Sequence, residues 1–108
     1  MQSEQNKTIT DKALADYIHM FAYGRSRAIA SAILRKQLGV GGNEVRRRVH
    51  RLRRSGVPIC SCKSGYYYAA NAGDVVRTIR ELEKLEAGIR IAKQGLVNAL
   101  DEFTTEGR

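Results

Sequence analysis

The amino-acid sequence predicts a mainly α protein with one small β-hairpin, an α+β fold, that ends in a long C-terminal helix. Apolar residues recur at helical spacing through most of the chain. Two short β-prone runs, VPICSC and YYYAA, are separated only by Lys63, Ser64 and Gly65, which is typical of a hairpin. With 108 residues, 43% of them hydrophobic and only one proline, the chain is long enough for one small folded domain and little else.

Positive charge is concentrated in the middle of the chain. Residues 25–63 carry eleven Lys/Arg against Glu44 alone, whereas residues 1–24 carry two against three acids and residues 64–108 carry six against seven. Such a localised positive block indicates a nucleic-acid or anionic-membrane partner. No apolar run approaches the ~20 residues of a membrane span, and the N-terminus lacks the apolar core of a signal peptide. We therefore expect a cytoplasmic, nucleoid-associated protein.

The first predicted element is a core helix. Residues 1–9 are polar and are expected to be flexible. Thr10 is a good N-cap, and the negative charge of Asp11 interacts favourably with the positive N-terminal end of the helix dipole. Gly24 is expected to end the segment. The apolar stripe at helical spacing consists of Leu14, Tyr17, Ile18 and Phe21.

A short second helix and a glycine-rich turn follow. Ile33, Leu34 and Leu38 form the apolar side of this helix, which Gly39 is expected to end in the left-handed conformation. Val40 then provides an apolar plug in the turn.

The third helix is predicted to start near Gly42 and to end at Ser55 and Gly56. Gly41 stands at the cap position, and Glu44 is expected to reach back to its backbone N–H. This helix contains RRRVHRLRR, with six Arg and one His in nine positions. On a helical wheel the apolar side consists of Val45, Val49 and Leu52. The opposite side consists of Arg47, His50, Arg51 and Arg54, with Arg46 and Arg53 on one flank and Arg48 on the other. A disordered basic tail has no need of this apolar spacing.

Two helices joined by a glycine-containing turn, the second more basic, are typical of a helix-turn-helix. In such a unit the second helix enters the major groove of DNA. Arg bonds guanine O6 and N7, and Asn bonds adenine N6 and N7. The residues expected near base edges are Asn43, Arg46, Arg47 and His50, while Arg51 and Arg54 are expected to contact phosphates. The alternative, a solvated basic face without a partner, is disfavoured because so many like charges repel one another.

The hairpin would form a wing beside this unit. Pro58 suits an edge strand or the entry to one. Alternation in the strand turns Tyr66 and Tyr68 to one face, which we expect to pack inside the wing, and Tyr67 to the other. The residues expected to contact DNA from the wing and its flank are Lys63, Ser64, Arg25 and Arg27.

Cys60 and Cys62 are expected to be reduced and to pack in a strand. A zinc site would need two further ligands, and His19 and His50 lack ligand-like spacing to the pair. We therefore expect no metal. A redox-sensing role for these thiols is left as an alternative.

The last segment predicts a long helix that self-associates. Asn71 is a natural N-cap, and four heptads with apolar a and d positions follow, with Thr78 as the polar exception and Gly88 and Gly95 outside the seam. The expected oligomerisation residues are Val75, Leu82, Leu85, Ile89, Ala92, Leu96, Ala99 and Phe103. The competing interpretation folds this helix back over the first helix or offers it to another protein.

The stretch LRKQLGVGGNEVRRRVHRLRRSGVPICSCKSGYYYA resembles the bacterial and phage winged helix-turn-helix domains related to the N-terminal domain of the biotin operon repressor. The resemblance covers about forty of the 108 residues. It implies a three-helix core at residues 10–70, a two-stranded wing, recognition-helix contacts in the major groove and wing contacts to the backbone. Gly41 departs from the usual capping Ser, and Ala30 and Ile33 leave the start of the preceding helix open, as early as Ser26.

These observations predict a dimeric, sequence-specific double-stranded-DNA-binding protein, a transcriptional regulator of a phage or mobile element, with residues 71–108 as the oligomerisation helix. The alternatives are an adaptor that DNA contact localises to a replication, excision or packaging complex, and an RNA-binding protein whose tyrosines stack bases. No enzyme is expected, because acid pairs, nucleophile–base combinations and a phosphate-binding loop are not apparent; GVGG lacks the following Lys-Ser/Thr. No cofactor or small-molecule effector is expected.

Overall fold

The computed structural model describes residues 10–106, with side chains placed up to residue 103. The N-terminal segment predicted to be flexible, residues 1–9, lies outside the described residues. The elements are, in chain order, α1 (Asp11–Phe21), a 3-10 helix (Arg25–Arg27), α2 (Ser31–Leu38), α3 (Gly42–Arg54), β1 (Ile59–Cys62), β2 (Gly65–Tyr68) and α4 (Ala72–Glu106). The predicted fold class is confirmed, since the protein is mainly helical with one antiparallel hairpin and a long C-terminal helix.

Helix α1 begins where the capping chemistry predicts. The Thr10 hydroxyl accepts a hydrogen bond of 3.0 Å from the backbone N–H of Ala13, which satisfies one of the unpaired amides of the first turn. The helix ends at Phe21, before the predicted stop at Gly24. Gly24 has a φ of 88° and instead precedes the 3-10 helix.

Helix α2 starts at Ser31 behind Ala30, which supplies no side-chain cap. Ser26, the earliest expected start, lies in the 3-10 helix instead. At the other end, Gly39 adopts the left-handed conformation (φ 68°, ψ 34°), as predicted.

Helix α3 has its predicted bounds but not the predicted cap. Gly41 is the N-cap residue and has no side-chain cap hydrogen bond. The expectation that Glu44 returns to the Gly41 N–H is wrong. The Glu44 carboxylate lies instead 3.3 Å from Arg47 Nη1 and 2.8 Å from Arg48 Nε, because cations one turn along the helix attract it more strongly than a backbone amide does.

The three short helices and the hairpin share one hydrophobic core. The predicted apolar side of α3 is buried in it, as are Leu34 of α2 and the residues Leu14 and Ile18 of the α1 stripe. Phe21 and Ile33, also predicted as core-facing, remain 53% and 52% exposed. The buried core residues are Leu14, Ala15, Ile18, Ala22, Leu34, Val45, Val49, Leu52, Ile59, Cys60 and Tyr67.

The hairpin joins β1 and β2 in register, with Ile59 opposite Tyr68 and Cys62 opposite Gly65. The segment before α2 pairs with it, because the Ile29 and Tyr66 backbones exchange two hydrogen bonds of 2.8 and 2.9 Å. The wing therefore has an additional backbone partner that the sequence did not predict.

The two faces of β2 alternate as predicted, but the buried face is the other one. Tyr67 is fully buried, and its burial raises the pKa of the phenol. Tyr66 and Tyr68, expected inside the wing, are half-buried. Both side chains do pack against the core, but Tyr67 is the one that is fully buried, because the contact between β2 and α1 decides which face of the strand meets the core interior.

Gly65 makes the approach between Ile29 and the hairpin possible. Its φ is 134°, and a Cβ atom there would overlap the Ile29 carbonyl and lie 2.7 Å from the Ala30 Cα. Only glycine fits this position without displacing backbone.

The first turns of α4 belong to the compact unit that precedes them. Asn71 Oδ1 accepts from the Asp74 N–H at 2.9 Å, and Asp74 Oδ2 accepts from the Ala70 N–H at 2.9 Å. Thr78, the polar exception in the heptads, is buried and accepts from the Ser61 N–H at 3.4 Å. The chain accordingly divides into one unit up to Thr78 and another from Ile79 onward.

Candidate nucleic-acid interface

The outward face of α3 gathers most of the predicted recognition residues. Because Val45, Val49 and Leu52 are held in the core, the side chains on the other side of the helix face solvent. They line one shallow surface concavity of about 390 Å³. Its lining residues are Arg46, Arg47, His50, Arg51 and Arg54. Asn43 is exposed but is not part of this lining.

Three of these side chains are available to a ligand. Arg46, His50 and Arg54 are exposed and make no hydrogen bond or ion pair with any described residue. Arg47 is also largely exposed, and among the described residues only the 3.3 Å contact with Glu44 holds it. Exposed pairs of this kind contribute little to stability, so a stronger anion can draw Arg47 away.

Arg51 is not a free cation, although the sequence placed it among the phosphate ligands. Its Nε donates to Asp11 Oδ2 at 2.8 Å, and its Nη2 donates to Asp11 Oδ1 at 3.0 Å. The two parallel hydrogen bonds form a bidentate ion pair that ties α3 to the first turn of α1. They hold the pKa of Asp11 below its usual value and raise the pKa of Arg51. A phosphate contact by Arg51 therefore stays a prediction, one that requires competition with Asp11.

Arg48 supports the same connection from a half-buried position. Its Nη1 donates to Asp11 Oδ1 at 3.4 Å. Its Nε lies 2.8 Å from Glu44 Oε2, close enough for an ion pair, although that N–H is not directed at the oxygen. Asp11 and Glu44 thus neutralise the inner flank of the arginine run and leave its outer side positive.

Arg53 has a structural role that the helical wheel did not reveal. Its Nε donates to the Ile59 carbonyl oxygen at 2.7 Å, and its Nη2 donates to Ser61 Oγ at 3.2 Å. The side chain therefore fastens the end of α3 to β1, and its burial lowers the pKa of the guanidinium.

The predicted wing and flank residues are all exposed. Lys63 and Ser64 are the two residues that connect β1 to β2. Arg25 and Arg27 belong to the 3-10 helix, which contacts both strands of the hairpin. The wing and its flank are thus neighbours.

Arg35 is a basic residue near this surface that the sequence prediction missed. Its Cδ and Nη1 atoms lie 3.3 Å from the position a Gly42 Cβ would occupy, so its side chain lies against the first turn of α3. The available signal was its place in the last turn of α2, where basic residues are favoured.

An aromatic stack lies on another part of this unit. The His19 and Tyr68 rings are 4.0 Å apart and nearly parallel, and the Tyr23 ring lies 6.4 Å from that of Tyr68. The sequence assigned His19 no role. These rings already stack on one another, which uses the faces that an unpaired base would need.

Beyond Thr78, α4 exposes most of its predicted seam. Leu85, Ile89 and Leu96 are 61%, 69% and 72% exposed. Leu82, Ala92 and Phe103 are also exposed, and Ala99 is half-buried. Val75, the first seam residue, is half-buried and lies in the preceding unit. A groove of about 360 Å³ near the end of the helix is lined by Lys93, Leu96, Val97, Ala99, Leu100 and Phe103.

Cys60 and Cys62 are free thiols in β1, the first buried and the second half-buried. Among the described residues, no group of three His, Cys, Asp or Glu side chains could hold a metal ion. In that same part of the chain no helix is both long and apolar enough to cross a membrane.

Comparisons with protein-family models, with curated proteins and with solved structures find no match to this chain.

Proposed function

We propose that this protein binds double-stranded DNA through the outward face of α3 and acts as a dimeric, sequence-specific transcriptional regulator. The observation that carries the proposal is the set of exposed cations, Arg46, Arg47 and Arg54, around one concavity on a helix whose other face is buried. A rigid helix with cations on one side fits the major groove, which is wide enough to admit it.

The basic residues of α3 are expected to have different roles, which depend on their position along the helix and on their ion pairs. Arg46, Arg47 and His50 lie in the first half of the helix, where recognition helices contact base edges. Arg54 follows at the end and suits a phosphate. Arg51, held by Asp11, keeps α3 at a fixed angle to α1.

The arrangement around α3 supports the resemblance to winged helix-turn-helix domains. A short helix, a left-handed Gly39 turn and a basic helix are followed by a hairpin that pairs with the segment before α2. Lys63 at the hairpin turn and Arg25 and Arg27 beside it would contact the DNA backbone.

Self-association would come from the seam of α4 beyond Thr78. Exposed Leu, Ile and Phe side chains at a and d positions leave water when a second helix covers them. A two-fold dimer would bind two half-sites.

Fluorescence anisotropy with a random-sequence duplex, followed by operator selection, tests this proposal. The informative variant is Arg47→Glu/Arg54→Glu, because Arg51 also supports the fold and its replacement would confuse the result. The matched control, Arg80→Glu/Arg90→Glu, makes the same charge change on exposed positions of α4. We expect wild type and control to bind with affinity that falls steeply with salt, and the α3 variant to lose binding. Equal binding by all three proteins would contradict the proposal.

The exposed seam of α4 favours one second candidate, an adaptor in which this helix recruits another protein while DNA contact localises it. A helix that stays monomeric in solution but captures a defined partner through residues 79–103 would favour the adaptor. Preference for single-stranded RNA over duplex DNA in a competition experiment would favour the RNA-binding alternative.

A further inference from the structure

The seam of α4 distributes large and small side chains unequally between its two positions. Leu82, Ile89 and Leu96 occupy successive a positions, whereas Ala92 and Ala99 occupy the d positions that follow Leu85. In the second half of the helix, the large side chains of the seam therefore lie along the a positions alone. A helix that packs on this seam must place large side chains opposite the alanines.

We propose that a second copy of this chain covers the seam in antiparallel orientation. This inference rests on the self-association proposed above and specifies its geometry. The register sets Leu82 against the partner's Ala99, and Ile89 against the partner's Ala92. Leu85 then lies against the partner's Leu96. Two-fold symmetry repeats each layer.

Side-chain volume favours this register over a parallel one. In the antiparallel pair each alanine meets a Leu or Ile, so that no layer consists of two alanines and the layers can interdigitate. A parallel pair would set Ala92 against Ala92 and Ala99 against Ala99, between layers of two Ile or two Leu side chains. Such uneven layers leave voids, and voids destabilise an apolar interface.

Charges beside the seam favour the same orientation. The antiparallel register brings Glu86 next to the partner's Lys93, which gives two opposite-charge pairs by symmetry. A parallel pair would instead bring Glu81 next to the partner's Glu86, two like-charge pairs. In the antiparallel dimer, Glu81 and the partner's Glu102 are like charges, but they lie at the ends, where exposed side chains can separate in water.

The two glycines outside the seam provide an independent observation. Gly88 and Gly95 each weaken the helix relative to alanine, and within the described chain a Cβ at either position would meet no atom within 4 Å. Nothing in that part of the chain requires glycine there. In the antiparallel register Gly88 lies opposite the partner's Gly95, on the flank away from Glu86, so the two backbones can approach closely around the small Ala92 layers.

The burial of Thr78 in the first unit limits the length of helix that the two copies can share. Thr78 is buried there and bonded to Ser61, so it cannot form a layer with the partner's Phe103. The shared seam thus runs from Leu82 to Ala99, about 26 Å of helix.

Sedimentation equilibrium of charge variants tests the orientation directly. Glu86→Lys converts both opposite-charge pairs of the antiparallel dimer into like-charge pairs, and we expect the dimer dissociation constant to rise about 10- to 30-fold at low salt. In a parallel dimer the same variant would face Glu81 and tighten association. The double variant Glu86→Lys/Lys93→Glu should restore the wild-type constant. Glu83→Lys, the same change outside the seam, should alter it less than about threefold.

Distance measurement by pulsed electron resonance gives a second readout. A spin label at Arg80→Cys, in a Cys60→Ala/Cys62→Ser background, should lie about 32 Å along the axis from its copy in an antiparallel dimer. In a parallel dimer the two labels would be side by side at roughly the ~10 Å spacing of packed helices plus the label arms. The short distance, tighter association of Glu86→Lys, or a monomeric wild type would each overturn the inference. If the wild-type protein forms the antiparallel dimer but does not bind duplex DNA, only the DNA-binding proposal is overturned.

Discussion

Replacing Gly65 by alanine tests whether the pairing between the hairpin and the segment before α2 holds the first unit together. Gly65 has a φ of 134°, a conformation that alanine rarely adopts. The added Cβ would overlap the Ile29 carbonyl and lie 2.7 Å from the Ala30 Cα. Since these neighbours are backbone atoms, the strands must separate to make room.

The expected loss of stability follows from the contacts that would separate. The Ile29 and Tyr66 backbones exchange hydrogen bonds of 2.8 and 2.9 Å, each worth ~1 kcal/mol. Backbone strain at the new alanine adds ~1–3 kcal/mol. The free energy of unfolding should therefore fall by roughly 3–5 kcal/mol, a large part of the ~5–15 kcal/mol typical of a domain.

Urea unfolding followed by tyrosine fluorescence is the suitable assay, because all five tyrosines precede residue 69 and report on the first unit alone. The control is Gly41→Ala, where φ is −79° and a Cβ would meet nothing within 4 Å. This change removes a favoured capping residue and should lower the unfolding free energy by only ~1 kcal/mol or less. If Gly65→Ala were no more destabilising than this control, the pairing of Ile29 with the hairpin would not support the fold as argued.

Three further predictions follow from single contacts. Arg51 holds the pKa of Asp11 below its usual value, so the contribution of this carboxylate is present above about pH 4 and is lost as the pH falls through the lowered pKa. The difference in unfolding midpoint between wild type and Asp11→Asn should stay constant from pH 5 to 7 and shrink at lower pH; a constant difference down to pH 2 would contradict this assignment. Arg54→Ala should reduce the salt slope of duplex binding by ~0.9 and leave the unfolding midpoint unchanged, whereas Arg53→Ala should destabilise the unit by ~2 kcal/mol and leave the salt slope of the folded protein unchanged; equal slope changes would show that both cations contact DNA. Thr10→Ala should lower the unfolding free energy by ~1 kcal/mol through loss of the α1 cap, as measured by the same urea assay, and an unchanged value would show that the cap does not stabilise α1.

Sequence reasoning succeeded where the signal is local. The spacing of Val45, Val49 and Leu52 predicts the buried side of α3 because helical periodicity alone places them on one face. Gly39 predicts a helix end because it enters the left-handed conformation without steric penalty. The grouping of Arg46, Arg47 and Arg54 around one concavity follows from the same periodicity.

Arg51 and Arg53 show which contacts helical periodicity cannot predict. A helical wheel treats Arg51 and Arg54 alike, yet Asp11, forty residues earlier, binds only the first. Arg53 likewise owes its structural role to the carbonyl of Ile59, which no helical pattern includes. Two charged residues can be adjacent in the folded protein however many residues separate them along the chain.

The sequence by itself determined the helices, the hairpin, the location of the positive charge and the heptad seam, because each depends on residues within a few turns or on one strand. Only the tertiary structure decided that Tyr67 rather than its neighbours enters the core, that Ile29 pairs with the hairpin, and that Asp11 binds Arg51. It also assigned Thr78 to the first unit, through a hydrogen bond from Ser61. These outcomes depend on which surfaces meet, and packing selects those surfaces through the burial of apolar area and the pairing of buried polar groups.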